Sequence, residues 1–271
     1  MSSITGFRPG LFAGKHVVIT GAGRGIGAAI ADYLLQDGAK IFAHLGRESS
    51  RQHWIFPEAG YDESSLITCT GDLSDAVIAQ SVSKQAIDAL GHIDVLINNA
   101  GTMLGRVPSD EMTAKHYQDV SNLNAQSVVL MTTSLLPALR KATSISGGAG
   151  SSRAQAAVVN VTSISADTGG SAGSSIYSAA KGFVSTYTRS LATELAADNI
   201  RVNAISPGTI DTDFHQRYSS AEKLAKTAAN TPLGRLGTAE DCVSACLFLA
   251  STEMSGYITG QIIGINGGIA F

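Results

Sequence analysis

The sequence predicts a doubly wound α/β fold in a single domain, with helices on both faces of a seven-stranded parallel sheet. Three observations predict it. Short apolar runs rich in β-branched residues alternate with longer amphipathic stretches. The runs are nearly continuous in apolar residues, as in strands buried on both faces. No internal repeat and no Pro-rich linker divides the 271 residues, so the whole of 1–271 reads as one domain.

The strand candidates, in order, are "HVVIT" (16–20), "KIFAHL" (40–45), "SLITC" (65–69), "IDVLIN" (93–98), "AAVVNVT" (156–162), "IRVNAIS" (200–206) and "QIIGIN" (261–266). Helical patterns fall near 25–37, 75–90, 114–140, 175–197, 218–229 and 238–250. Three of them carry start signals: Ser74 before an acidic first turn, Ser219 with Glu222, and Thr238 with Asp241. In the 175–197 helix, Ala180, Phe183, Val184, Tyr187, Leu191 and Leu195 share one face and predict its buried stripe. The Gly/Ser-rich stretch 141–155 reads as a surface excursion. The long connection 209–237 has the length of a functional loop and contains one short helix.

Composition excludes several functions. A net charge of −3 without a basic cluster argues against nucleic acid as a partner. No run approaches the ~20 apolar residues of a membrane span, and the N-terminal stretch lacks a signal-peptide apolar core. Cys69, Cys242 and Cys246 form no C-x-x-C, and the last two sit at helical spacing in an apolar stretch, as core residues do. These features predict a soluble, reduced, cytoplasmic protein. Six histidines lie without metal-ligand spacing, so no catalytic metal is expected.

Two short stretches carry chemistry. "TGAGRGIG" (20–27) follows the first strand and opens the first helix. There, glycines let the backbone approach a pyrophosphate, whose charge sits at a helix N-terminus. "SIYSAAKG" (175–182) places Tyr177 and Lys181 one helical turn apart. A cation at i+4 favours the phenolate and should lower the tyrosine pKa, making Tyr177 a usable proton donor and acceptor. A half-buried tyrosine beside a snorkelling lysine is the alternative.

The glycine turn, with Gly21, Gly25 and Gly27 as T-G-x-x-x-G-x-G, resembles that of the short-chain dehydrogenase/reductase family, and the resemblance spans about residues 12–268. "TGDLSD" with Asp72 and Leu73 is similar to the adenine-contacting segment, although Asp72 also reads as a helix-start residue. "NNAG" (98–101), with Asn99, Ala100 and Gly101, resembles the strand end beside the cofactor. "SPGTIDT" (206–212), with Pro207, Gly208, Ile210 and Thr212, is similar to the segment lining the nicotinamide. The resemblance implies a Rossmann fold, a catalytic tetrad of Asn122, Ser163, Tyr177 and Lys181, and a tetramer with dihedral symmetry in which the 114–140 and 175–197 helices pair. Asn124 is the competitor of Asn122, and Ser165 the fallback for Ser163. In the implied reduction, Tyr177 protonates the developing alkoxide, Ser163 hydrogen-bonds it, and Lys181 keeps the phenol acidic and binds the nicotinamide ribose. Asn122 holds a water that relays protons to Lys181. Arg24 and Ile26 complete the glycine turn.

One departure is local: Ser163 and Tyr177 are 14 positions apart, one more than in many relatives, with "TGGSAGSS" (168–175) free to absorb the extra residue. Cofactor choice rests on "AHLGRES", which has no acid at the strand end to accept from a ribose 2′-hydroxyl but has Arg47 to meet a 2′-phosphate. Arg24 adds a second cation, while Glu48 is a contrary sign. NADP(H) is the expected cofactor, with NAD(H) as the alternative.

The 209–237 segment is expected to be a lid over the nicotinamide. It offers Phe214, His215, Tyr218 and Leu224 beside Gln216, Arg217, Lys223 and Lys226. Resemblance to 3-oxoacyl-carrier-protein reductases makes a 3-oxoacyl thioester, carrier- or CoA-bound, the first expectation for the small-molecule carbonyl/alcohol substrate. A sugar or polyol is second. A non-catalytic cofactor-binding sensor or scaffold is the alternative of another class, and its usual mark, a broken tetrad, is absent. An extended-branch epimerase expects a longer chain and a T-G-x-x-G-x-x-G turn.

Overall fold

All seven apolar runs are strands, and each pairs in parallel. The computed structural model describes residues 9–46, 48, 62–145 and 155–270. The strands are β1 (His16–Thr20), β2 (Lys40–His44), β3 (Leu66–Cys69), β4 (Val95–Asn98), β5 (Ala156–Val161), β6 (Ile200–Pro207) and β7 (Ile262–Ile265). Their order across the single sheet is β3-β2-β1-β4-β5-β6-β7. Chain direction across the sheet reverses between β1 and β4, whose registers pair Val17 with Val95 and Ile19 with Ile97. The loops leaving these two strands therefore part, opening a crevice at the strands' carboxyl ends.

The described helices are α1 (Gly25–Gln36), α2 (Ala76–Leu90), α3 (Ala114–Ser121), α4 (Ser127–Ile145), α5 (Ser165–Thr168), α6 (Ser175–Glu194), α7 (Asp213–Tyr218), α8 (Ala221–Asn230), α9 (Ala239–Ala250) and α10 (Thr252–Ser255). Helices α1 and α9 cover one face, where Ile19, Ile30, Leu34, Cys242 and Cys246 are buried together. Helices α2, α4 and α6 cover the other around Phe42, Leu96, Met131, Leu135 and Leu191. Cys242 and Cys246 are thus the core residues expected of their spacing. The central strands β1, β4, β5 and β6 are buried almost throughout, as mostly apolar strands covered on both faces are.

Helix starts are partly as read. Thr238 and Asp241 form a reciprocal capping box. The α2 cap is Asp75, which accepts from the backbone N–H of Val77 and Ile78, whereas Ser74 donates to Asp72. The α8 cap is Ser220, one residue beyond Ser219. Phe183, expected in the buried stripe of α6, is 47% exposed. The predicted 114–140 helix is two helices joined by a π turn at Asn122–Gln126, and the predicted 218–229 helix splits into α7 and α8. Of the 141–155 excursion, 141–145 continue α4, and 146–154 lie outside the described residues.

A buried polar frame ties the sheet to the helices beneath the crevice. Asn98 on β4 donates to Asn160, its register partner on β5, and to Thr132 on α4. Asn160 in turn donates to Thr188 on α6. Deep inside, Arg201 on β6 donates to the carbonyls of Leu249 and Ala250, placing a cation at the C-terminus of α9 where the helix dipole favours it.

Candidate active site

The crevice is a cavity of about 850 Å³ lined from both halves of the sheet. Its dinucleotide half is built on the turn after β1. Gly21 has φ +68°, and a Cβ there would sit 2.8 Å from Ala100 Cα, so only glycine fits the close approach of the two loops. Asn99 fixes that approach: its side-chain amide donates to the carbonyls of Thr20 and Gly21. Helix α1 opens on Arg24 with no side-chain cap and no acid in its first turn. Its N-terminus is therefore available to an anion. Gly25, also at positive φ, lets the turn face Thr212.

Of the residues expected to hold the cofactor, Gly21, Arg24, Gly25, Ile26, Asp72, Leu73, Asn99, Ala100 and Gly101 line this cavity, as do Pro207, Gly208, Ile210 and Thr212. Gly27 does not: a Cβ there would strike Asn99 Nδ2 and Gly21 O at 2.4 Å, which makes it a packing glycine. Arg47 lies outside the described residues. Asp72 lines the cavity and accepts from the Ser74 N–H and hydroxyl, while the helix cap itself is Asp75. Glu48 accepts from Thr70 at 2.7 Å. The open helix end and the glycine cradle fit a dinucleotide.

The reactive half brings Ser163, Tyr177 and Lys181 together. Ser163 Oγ accepts from the Ser165 N–H and hydroxyl, at 3.2 and 2.9 Å, and gives its own proton to the Tyr177 hydroxyl oxygen. The loop between them therefore absorbs the extra residue. Lys181 is buried and donates to Val161 O at 2.8 Å, with its ammonium 5.8 Å from the Tyr177 ring centre.

Two expectations are corrected here. The lysine does not lower the Tyr177 pKa in this state: burial pushes the phenol up to about 12, against the opposing hydrogen bond from Ser163. The same burial brings Lys181 down to about 8, because desolvation disfavours the charged form of each. The second correction concerns the asparagine. Neither Asn122 nor Asn124 lines the cavity itself, but the Asn124 side-chain oxygen shares a small space with Lys181. The π turn aims Asn124 inward instead, where its amide nitrogen donates to Thr102 O and Val120 O. Its Oδ1 is buried without a partner among the described residues. A Cβ on Gly101 would lie 2.6 Å from that oxygen and 3.1 Å from Lys181 Nζ, so the two groups face one small space.

The 209–237 segment is fastened at its base, where Ile210 and Gly237 pair and Asp211 N donates to Gly237 O. Phe214 packs against Tyr177, with ring centres 5.8 Å apart, and His215, Arg217, Tyr218, Lys223 and Leu224 line the cavity; Gln216 and Lys226 do not. Sequence reasoning missed His44, Leu104, Arg106 and Ser171, which also line it. A polar residue closing an apolar strand was the available signal for His44. Arg106 lies on an irregular loop with no pattern to mark it.

Comparisons with known proteins agree with this architecture. Residues 21–270 match the family described as Enoyl-(Acyl carrier protein) reductase. The chain is 33% identical over 260 residues to the 3-oxoacyl-[acyl-carrier-protein] reductase FabG of Vibrio cholerae, covering 94% of this chain and 97% of that one. It superposes on the 3-ketoacyl-(acyl-carrier-protein) reductase of Brucella melitensis complexed with NADH at a TM-score of 0.82, with 26% identity over 96% of this chain and 100% of the other. The RhlG/NADP active-site complex of Pseudomonas aeruginosa gives 0.84, with 28% identity over 97% and 99%. The chain belongs to the short-chain dehydrogenase/reductase family of nicotinamide-dependent oxidoreductases.

Proposed function

We propose that this protein is an NADP(H)-dependent carbonyl reductase whose substrate is a 3-oxoacyl thioester. The observation that carries the chemistry is the Ser163–Tyr177 contact beside buried Lys181 on the wall of one cavity. A bound nicotinamide supplies or takes up the hydride; the chain's residues do the rest. Ser163, held by Ser165, redirects the hydrogen bond it gives Tyr177 to the substrate oxygen, where charge develops. Tyr177 keeps its proton at neutral pH because burial raises its pKa, and so is the acid that meets the nascent alkoxide. Lys181 replaces that proton, and the unpartnered Oδ1 of Asn124 is the acceptor that holds a relay water next to it. Asn124 therefore takes the role first read for Asn122.

The preference for NADP(H) is supported by Arg24 on the cavity wall and by β2 ending on His44 with no carboxylate. The thioester reading is supported by the likeness to acyl-carrier-protein reductases and by Arg217 at the cavity wall. We read the 209–237 segment as the lid and the assembly as a homotetramer. A cytoplasmic setting agrees with the three buried free thiols; no helix among the described residues is long and apolar enough to cross a membrane. The experiment is NADPH oxidation against acetoacetyl thioesters, sugars and polyol-derived ketones. Thioester reduction lost by roughly 10³-fold or more in Tyr177→Phe, with NADPH bound more tightly than NADH, is expected. Activity confined to sugars or polyols, or equal binding of NADH, overturns the respective part.

A further inference from the structure

Two cations meet on the substrate side of the cavity, and among the described residues neither is paired with an acid. Arg106, from the loop after β4, donates through Nη1 to Ser171 Oγ at 2.7 Å and to Ala172 O, and through Nε to Tyr218 O. Lys223, from α8 on the 209–237 segment, donates to the same Ser171 hydroxyl at 3.1 Å. Neither forms an ion pair with a carboxylate among the described residues, although Arg24 pairs with Asp213 on the same segment. Both line the cavity that holds Ser163 and Tyr177.

Two like charges brought onto one hydroxyl repel each other, and a fold that only needed a latch here would be served by neutral donors. The repulsion is visible in the neighbours. Burial and then Arg106 lower the Lys223 pKa, while burial, Arg106 and Lys223 together bring His215 down to about 4, with Asp211 the opposing acid. The cationic wall is incomplete until a negative charge arrives. We infer that Arg106 and Lys223, converging at Ser171, form a subsite for an anionic oxygen cluster of the substrate, a carboxylate or a phosphate.

Guanidinium and ammonium donors with a hydroxyl between them match such a group in charge and in hydrogen-bonding sense. The subsite is made only when the loop carrying Arg106, the loop after α5 and α8 are together, so an anionic substrate would also hold the segment down. This inference rests on the carbonyl-reductase reading and names what the substrate must carry beside its carbonyl.

The test uses the NADPH-loaded enzyme and two matched pairs of carbonyl compounds. Acetoacetate against methyl acetoacetate isolates a carboxylate; acetoacetyl-CoA against acetoacetyl-N-acetylcysteamine isolates the phosphates of a carrier arm. At least one pair should show a 10-fold or greater preference in kcat/KM for its anionic member. That preference should fall to within twofold in Arg106→Gln and Lys223→Gln, return in Lys223→Arg, and persist in Lys226→Gln, which removes an equal charge outside the cavity. The pair that responds identifies the source of the charge.

Calorimetric binding of acetoacetate and of inorganic phosphate to the same loaded proteins, their folding checked by circular dichroism, gives a readout independent of turnover. No preference in either pair together with no Arg106-dependent binding overturns the subsite, as does a preference unchanged in both variants. Absence of all reduction by the wild type, with anion binding intact and lost in Arg106→Gln, overturns the reductase reading and leaves the subsite standing.

Discussion

At the level of single residues, the catalytic group divides into what a linear motif can carry and what it cannot. Tyr177 and Lys181 stand out by their helical spacing, and Ser163 by its match to the family's motif. The asparagine does not, because Asn122 and Asn124 both fit the motif, and the π turn that distinguishes them leaves no mark in the linear sequence. That turn places Asn124 with its amide tied to Thr102 O and Val120 O and its Oδ1 toward the space shared with Lys181. Asn124→Ala is expected to lower kcat by roughly 10²-fold, the size of a lost proton-relay contact, with little change in the KM for NADPH. Asn122→Ala, which leaves the Asn124 contacts in place, should remain within about twofold. Steady-state kinetics of the two variants decide between them; equal losses would return the role to Asn122. The direction of the Tyr177 shift was equally invisible in the sequence, since it depends on how far burial outweighs a neighbouring cation.

At the level of elements, β2 shows how an end residue can couple two loops. His44 is buried; its Nδ1 accepts from the Gly21 N–H at 3.3 Å and its Nε2–H donates to Gly71 O at 2.9 Å, which suits one neutral tautomer. The glycine turn and the loop after β3 are thereby joined through one ring. Burial lowers the His44 pKa, while Gly71 O and the Asp72 carboxylate oppose the shift without reversing it. The unfolded chain takes up this proton near the ordinary value of about 6.5, and the folded chain only at lower pH. The contribution to stability is therefore fully present above that value and is lost as pH falls below it. Its slope is at most about 1.4 kcal/mol per pH unit for one imidazole. Urea midpoints at pH 7.5 and 5.5 should fall for the wild type and fall less for His44→Asn. Equal falls in both proteins would show that His44 is not a source of the acid sensitivity. The element boundaries themselves were legible wherever apolar runs or a reciprocal cap marked them, as at Thr238–Asp241. They were lost where one residue decided the cap, as between Ser219 and Ser220.

At the level of the whole molecule, the pattern that predicted the sheet says less about its outer surface. The central strands are covered on both faces and so are mostly apolar, and that signal survives in the linear sequence. A helix stripe is ambiguous, because a side chain that faces another subunit looks the same as one that faces the core. Phe183 is such a residue: it belongs to the apolar stripe of α6, yet is 47% exposed and stacks on Tyr187. Tyr117 on α3 is 54% exposed, and Tyr257, before β7, is fully exposed. Aromatics are enriched where chains associate, so exposed ones are candidate contact residues for the proposed assembly. In the homotetramer proposed above, an α6 surface and a separate surface beside β7 would be the two interfaces, since two twofold contacts on one chain generate a closed tetramer of dihedral symmetry. Analytical ultracentrifugation at micromolar concentration is therefore expected to give four times the 27.9 kDa chain mass. Phe183→Glu, which puts a charge in the α6 contact but touches neither cavity nor core, should leave a dimer held by the surface beside β7, and Tyr257→Glu should leave the complementary dimer. A wild-type monomer, or a tetramer indifferent to both substitutions, would overturn this assembly.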